Sequence, residues 1–222
     1  MKDKSPSGIM GLDRLMGGGL DNNSVTLVSG KIGTGKSIFC LQFLYNGAVK
    51  HGEKGLYITT DENKETLRKQ AKGFGWDLDS LEKKGVLRIV QIEPFDIESL
   101  SNIVSQKLVT EKIDRLVIDS VSLLELYMHK EFDIRKALFQ ILEKLREKCK
   151  LNIITTEIPE DSAGLSRFGI VEFAVDSVII LQYESMAKRK RSLIIRKMRT
   201  SKHSEIIHPF SMMKNGISVS PK

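Results

Sequence analysis

The chain has 222 residues, 41% of them hydrophobic and 28% charged, which excludes a disordered or fibrous polypeptide and leaves room for a sizeable α/β core. No apolar run approaches the ~18 residues needed to span a bilayer, and Met1-Lys2-Asp3-Lys4-Ser5-Pro6 leads into no signal-like segment, so a cytoplasmic protein without a membrane partner is expected. A net charge of +7 permits nucleic-acid binding without establishing it, and Cys40 and Cys149 are too far apart for a metal-ligand spacing.

Residues 1–8 are expected to be flexible or loosely docked, and 9–16 to form a short helix closed by Gly17-Gly18-Gly19 and a turn at Asp21-Asn22-Asn23. Ser24-Val25-Thr26-Leu27-Val28-Ser29 is apolar and β-rich, as a buried parallel strand is. Directly after it comes Gly30-Lys31-Ile32-Gly33-Thr34-Gly35-Lys36-Ser37, which fits the phosphate-binding pattern G-x-x-x-x-G-K-[ST]. The residues from 38 to 49 hold no proline and offer Phe39, Phe43, Leu44 and Ala48 as the inward face of a helix.

A second strand is expected at 55–60, ending on Asp61 and Glu62. A helix over 63–72 follows, stopped by Gly73-Phe74-Gly75-Trp76. Residues 86–92 alternate as a strand does. Asp96 is placed to cap a helix carrying Ile97, Leu100, Ile103, Val104 and Leu108 at helical period.

Arg115-Leu116-Val117-Ile118-Asp119-Ser120 is another buried strand, and 132–148 a long amphipathic helix with Ile134, Leu138, Ile141, Leu142 and Leu145 inward. The next strand, 151–156, ends at Glu157, and a loop rich in Asp, Ser and Gly runs from 159 to 169. Strands at 173–182, 192–199, 206–209 and 216–219 close the chain. Alternating β and α elements followed by a β meander predict a mostly parallel sheet with helices on both faces and an antiparallel C-terminal extension, in one domain over 1–222.

Each fixed position of the glycine motif has a chemical reason. Gly30, Gly33 and Gly35 let the backbone curl, so that amide N–H groups from Lys31, Ile32, Thr34 and their neighbours can face phosphate oxygens. Lys36 is placed to reach the β- and γ-phosphates and Ser37 to offer its hydroxyl to Mg²⁺. Asp119, an acid ending a buried strand downstream, is the expected second metal residue, although the same acid could instead cap the following turn. Hydrolysis also needs a carboxylate that activates water. Asp61 and Glu62 end a strand on the ligand-binding edge of such a sheet, Glu62 being the preferred base with Asp61 in support; the alternative is that they favour the N-terminus of the next helix. The run Lys188-Arg189-Lys190-Arg191 is either a solvated or subunit-contact hairpin tip or an anion-binding patch.

Taken together, the glycine motif, Tyr57-Ile58-Thr59-Thr60-Asp61-Glu62, Gly73-Phe74-Gly75-Trp76, Leu116-Val117-Ile118-Asp119-Ser120 and Thr155-Thr156-Glu157 resemble KaiC-type ATPases of the RecA superfamily. Arg167-Phe168-Gly169-Ile170-Val171-Glu172-Phe173 and Lys197-Met198-Arg199 extend the resemblance over nearly the whole chain, from about Gly8 to Ser220. The resemblance implies an ATP-binding RecA-like core in a ring, usually a hexamer, with ATP between neighbours. In that family the Lys-x-Arg pair reaches the neighbour's γ-phosphate. It falls here on Lys197 and Arg199, with Lys202 and His203 as further contacts to the neighbour's nucleotide; by spacing alone, Lys197 and Arg199 read as the solvated side of an edge strand. The chain departs from the family at Ile32, where a proline is common, and at Thr200, where a glycine is. The phosphoacceptor hydroxyls of its clock members fall on Glu172 and Phe173, so a timekeeping role is not expected.

The resulting expectation is a Mg²⁺-dependent ATPase forming a homo-oligomer with an unidentified protein client. An ATP-gated scaffold with weak hydrolysis and a DNA recombination or repair accessory are the alternatives. The DNA reading is disfavoured because the loop where RecA-type proteins approach DNA opens on the acidic Glu157-Ile158-Pro159-Glu160-Asp161.

Overall fold

The computed structural model describes residues 3–92, 97–122, 124, 128, 130–162, 164–166, 169–185 and 190–220. Asp96, Arg167, Phe168, Lys188 and Arg189, which carried expectations above, lie outside the described residues.

The strand that precedes the glycine motif, Ser24–Gly30 (β3), is buried at every position because sheet neighbours flank it on both sides. Before it come Lys4–Ser5 (β1), Leu12–Leu15 (α1) and Leu20–Asp21 (β2); after it run Lys36–His51 (α2), Gly55–Thr59 (β4), Lys64–Gly73 (α3) and Leu78–Lys83 (α4). Leu87–Gln91 (β5), Ile97–Thr110 (α5), Arg115–Asp119 (β6), Glu131–Lys148 (α6) and Leu151–Glu157 (β7) continue the alternation. The chain closes with Val171–Ala174 (α7), Ser177–Ser185 (β8), Lys190–Met198 (β9), His208–Met213 (β10) and Gly216–Val219 (β11).

Among the described residues the main sheet has the order β11-β10-β9-β8-β3-β7-β6-β4-β5. From β8 to β5 all neighbours are parallel, and β9, β10 and β11 extend the sheet antiparallel, as expected from the meander. Successive strand residues alternate between the two faces. Val28, Tyr57, Ile89, Val117 and Ile153 pack with α1, α2 and α3 on one face, whereas Leu27, Ile58, Leu116, Ile118 and Ile154 pack with α5 and α6 on the other. Both cysteines are free and buried, and no helix among the described residues is long and apolar enough to cross a membrane.

The structure decides one local expectation, adds one element and corrects another. From Lys4 onward the N-terminal segment is docked: Lys4 and Ser5 pair with Asp21 and Leu20, and the fully buried Arg115 guanidinium donates to the carbonyls of Pro6 and Ser7. A helix absent from the sequence reading, α4, begins where Asp77 accepts from the Ser80 amide. The strand expected from 173 starts instead at Ser177, because residues 171–174 form a short helical turn.

Candidate functional site

The register of the parallel strands sets the position of the site. Gly30 lies beside Glu157 and Leu181, and Thr59 beside Asp119, so the C-terminal ends of β3, β4, β6 and β7 share one edge. Open α/β sheets bind ligands at such an edge. A cavity of about 420 Å³ opens here, lined by Ile32, Gly33, Gly35, Lys36, Ser37, Asp61, Glu62, Asp119, Glu157 and Arg191 among others. A larger concavity of about 570 Å³ lies between α3 and α4, but the Arg68 guanidinium at its wall is already paired with Glu65, Asp79 and Glu82.

The loop from Gly30 to Ser37 is shaped by Gly33 (φ 75°) and Gly35 (φ 108°), both in the left-handed region that side chains disfavour. The buried Thr34 donates from its hydroxyl to Lys31 O at 2.8 Å, closing the loop on itself. Lys36 opens α2 and its Nζ donates to Gly30 O (2.9 Å) and Lys31 O (3.2 Å), so the ammonium lies along the loop it would share with a phosphate. Burial lowers its pKa, and the charges of Glu157, Asp119 and Asp61 oppose that shift. Lys31 turns the other way and pairs with Glu160, tying the loop to the segment after β7.

Asp119 ends β6 inside the cavity wall, and the described amides that follow it donate elsewhere, Ser120 to the Thr60 hydroxyl, Val121 to Thr155 O and Ser122 to the Ser120 hydroxyl. Its Oδ2 accepts from the Tyr57 hydroxyl at 2.5 Å, and its Oδ1 accepts from the Thr155 hydroxyl. Burial and the Asp119 charge push the Tyr57 phenol well above its ordinary pKa, which keeps it a donor.

Asp61 accepts from the Ser120 hydroxyl (2.8 Å) and the Thr60 hydroxyl (3.2 Å), whereas Glu62 accepts from the Gln70 amide of α3 at 2.8 Å. Both carboxyls have raised pKa values. Burial is the main cause for each, with the neighbouring Asp119 charge adding to it. An acid pushed upward is a better proton acceptor once ionised. Asn63 caps α3 by accepting from the Thr66 amide.

Lys197, Arg199, Lys202 and His203 are not brought to this cavity. Val178 pairs with Lys197, and Leu181 with Gly30, so Lys197 sits three strand residues, ~10 Å, from the glycine loop's end of the sheet. Its Nζ donates to Glu172 O (2.8 Å) and Val175 O (2.7 Å), and burial, then the Arg199 charge, lower its pKa. Arg199 donates to Phe173 O at 2.8 Å, so both cations converge on the α7 segment. The exposed Phe139 and Phe173 share a second concavity with Arg199. Thr200 and Ser201 donate to the buried Asp21 carboxylate at 2.5 and 2.9 Å, a contact a glycine at 200 would lack. Lys202 and His203 follow directly on that anchored turn.

Arg191, Glu157 and Gln70 join the cavity without having been assigned to this site. Arg191 donates to Gly33 O (3.2 Å) and lies over the Tyr183 ring, whose hydroxyl donates to the same carbonyl at 2.7 Å. It belonged to the basic run, and its charge was the only signal available. Lys190 beside it is exposed.

A glycine-rich loop between a central parallel strand and a helix, with acids from two other strands at the same edge, defines a P-loop protein with a RecA-like α/β core. Comparison with known proteins narrows this. The family described as "ATPase: KaiC" matches residues 5–222, and the chain belongs to that family. Circadian clock oscillator proteins KaiC from Parathermosynechococcus lividus and from Synechococcus elongatus are each 33% identical to it, over 98% and 96% of this chain. The chain spans less than half the length of those relatives, 42% and 43%. The crystal structure of a KaiC-like protein from the hyperthermophilic archaeon Pyrococcus horikoshii OT3 matches with a TM-score of 0.88 and 36% identity, covering all of both chains.

Proposed function

We propose that this protein is a cytoplasmic, Mg²⁺-dependent ATPase whose RecA-like domain assembles into a homo-oligomeric ring, hexameric as is usual for its family, with ATP at the subunit boundaries. The observation that carries the reading is the meeting of Lys36, Ser37, Asp119, Asp61 and Glu62 around one cavity, while Lys197 and Arg199 lie at the far end of the same sheet. The near set is a half-site for a nucleoside triphosphate. The far pair lies away from its own loop, at the end of the sheet where it would meet a neighbour's nucleotide by exchanging its bonds to the α7 segment.

In this reading the loop amides from Lys31 to Gly35 hold the phosphates, and Lys36 exchanges its bonds to Gly30 O and Lys31 O for the β,γ-phosphate oxygens. Glu62 takes the proton of the attacking water. One of its oxygens is held by Gln70, and Asp61, fixed by Ser120, supports it. Lys197 and Arg199, followed by Lys202 and His203, face the neighbour's nucleotide.

Ser37 and Asp119 would hold the metal. One hydroxyl and one carboxylate suit Mg²⁺, which keeps several waters and shares phosphate oxygens. No cluster of three or more His, Cys, Asp or Glu among the described residues offers a protein-only cage. When bound, the ion neutralises charge on the transferring phosphoryl group.

The test combines Mg²⁺-dependent phosphate release from ATP with light scattering in the presence and absence of nucleotide. Wild type should turn over ATP as an oligomer, and Lys36→Ala should lose nucleotide binding or turnover. Undiminished turnover in Lys36→Ala would remove the glycine loop from the mechanism, and a monomer under every nucleotide condition would remove the ring.

A further inference from the structure

Three adjacent strands converge on one carboxylate. Asp119 ends β6, Tyr57 lies on β4 and Thr155 on β7, and the two hydroxyls donate to the two different oxygens of Asp119. The strand register explains how. Thr59 is the β4 partner of Asp119 and Tyr57 that of Val117, so Tyr57 lies one pleat behind Asp119 on the same face of the sheet. Only a side chain as long as tyrosine can fill the core beneath α2 and still present a hydroxyl at the end of the neighbouring strand. Phenylalanine would pack equally well there and leave Oδ2 of Asp119 without this donor. Tyr57 and Thr155 are both fully buried, so neither hydroxyl has water as an alternative partner.

We propose that Tyr57 and Thr155 are positioning residues that fix the Asp119 carboxylate for Mg²⁺ binding. The proposal rests on the reading of Asp119 as a metal residue made above. An ionised carboxylate offers two lone pairs on each oxygen. A donor on each oxygen fixes the plane of the group and leaves the remaining lone pairs for the cavity that Asp119 lines. A carboxylate free to rotate would spend part of its time in geometries that a small, strictly octahedral ion and its waters do not accept. Outer partners of this kind typically contribute tenfold to a hundredfold to metal affinity. Neither hydroxyl touches the nucleotide in this arrangement, so their effect should appear in the metal dependence and not in metal-free nucleotide binding.

The experiment titrates Mg²⁺ into the full chain with a fluorescent ATP analogue and reads the concentration giving half of the metal-dependent tightening. A parallel measurement in EDTA gives metal-free affinity. Tyr57→Phe and Thr155→Val should each need about tenfold more Mg²⁺ while keeping wild-type affinity in EDTA, and Thr155→Ser should restore the wild-type requirement. Asp119→Asn should raise it further. Thermal melts identify a variant that fails to fold, and the two hydroxyls lie on different strands, so either variant alone can decide. If the folded hydroxyl variants need no more Mg²⁺ than wild type while Asp119→Asn does, the positioning role is wrong and the metal role stands. If Asp119→Asn itself leaves the requirement unchanged, both are wrong.

Discussion

Arg191 and Lys197 lie near opposite ends of one strand, β9, and each donates to a different end of the molecule. Arg191 reaches Gly33 O of its own glycine loop, and Lys197 reaches Glu172 O and Val175 O at the far side of the sheet. In a ring, the same strand would touch the nucleotide held by its own subunit and the one held by the next.

The far end gives the most direct test. In a lone subunit Arg199 donates to Phe173 O and pairs with the Asp176 carboxylate at 3.8 Å, whereas across a boundary it would meet charge developing on a transferring phosphoryl group. There an arginine contributes ~10³-fold or more. Arg199→Ala should therefore lower turnover far more than nucleotide affinity. Mixed with Lys36→Ala, which lacks the other half of the site, it should recover activity that neither variant has alone. A mixture that demonstrably co-assembles yet stays at background would end the idea of catalysis in trans through Arg199.

The acid pair gives a pH test with a definite sign. The Glu62 pKa is raised by burial first and by Asp119 next, with Asp61 adding to it, so its carboxylate protonates above the usual ~4.3. A base must be ionised to act, so turnover should fall as the pH drops through that raised value. Asp61→Asn removes one negative neighbour and should move this acid limb to lower pH, whereas Glu62→Gln should cost ~10²-fold or more in kcat with nucleotide affinity kept. If Asp61→Asn abolishes turnover and Glu62→Gln spares it, the two acids exchange roles.

Stability should hinge on Arg115. It is fully buried, pairs with Glu53 at 2.5 Å, donates to the carbonyls of Pro6, Ser7 and Phe43, and lies 4.6 Å from the Phe43 ring centroid. Removing one partner of a buried pair typically costs about 3–5 kcal/mol. Lys150 also pairs with Glu53 at 2.8 Å, which places Arg115→Ala at the lower end, about 3 kcal/mol in urea unfolding. Arg115→Met should lose less, since its stem can still pack on Phe43. A cost below about 1 kcal/mol for Arg115→Ala would mean that the N-terminal segment holds without it.

The central strand, the glycine loop and α2 were legible in the sequence because they combine an apolar run, fixed glycines and helical period, all of them local signals. The acids at the ends of β4 and β6 were legible for the same reason. What was missed is non-local or too short for a period. The docking of Pro6 and Ser7 depends on Arg115, more than a hundred residues away in sequence. α4 spans only six residues, fewer than two turns, so its Asp77 cap was its one readable mark. The apolar Phe173-Ala174-Val175 resembles the start of a strand, yet Phe173 and Ala174 finish a helical turn. Arg191 could not be told from its basic neighbours until the register of β9 against β8 set its side chain over Tyr183. Nothing in a buried apolar strand announces that a tyrosine hydroxyl will meet an acid two strand positions further along the sheet.

The bonds from Thr200 and Ser201 to Asp21 bear on the entropy of assembly. Asp21 ends β2 of the small two-stranded sheet, buried just before the central strand, so the turn carrying Lys202 and His203 is lashed to a packed part of the fold. A cationic segment left loose would have to be ordered each time two subunits met, at about 0.5–1.5 kcal/mol for each long side chain immobilised. Here the backbone is already set when the chain folds, and in the proposed ring only side-chain rotamers would remain to be chosen. Thr200→Gly, which deletes one lashing and loosens the backbone at once, would transfer that ordering from folding to association.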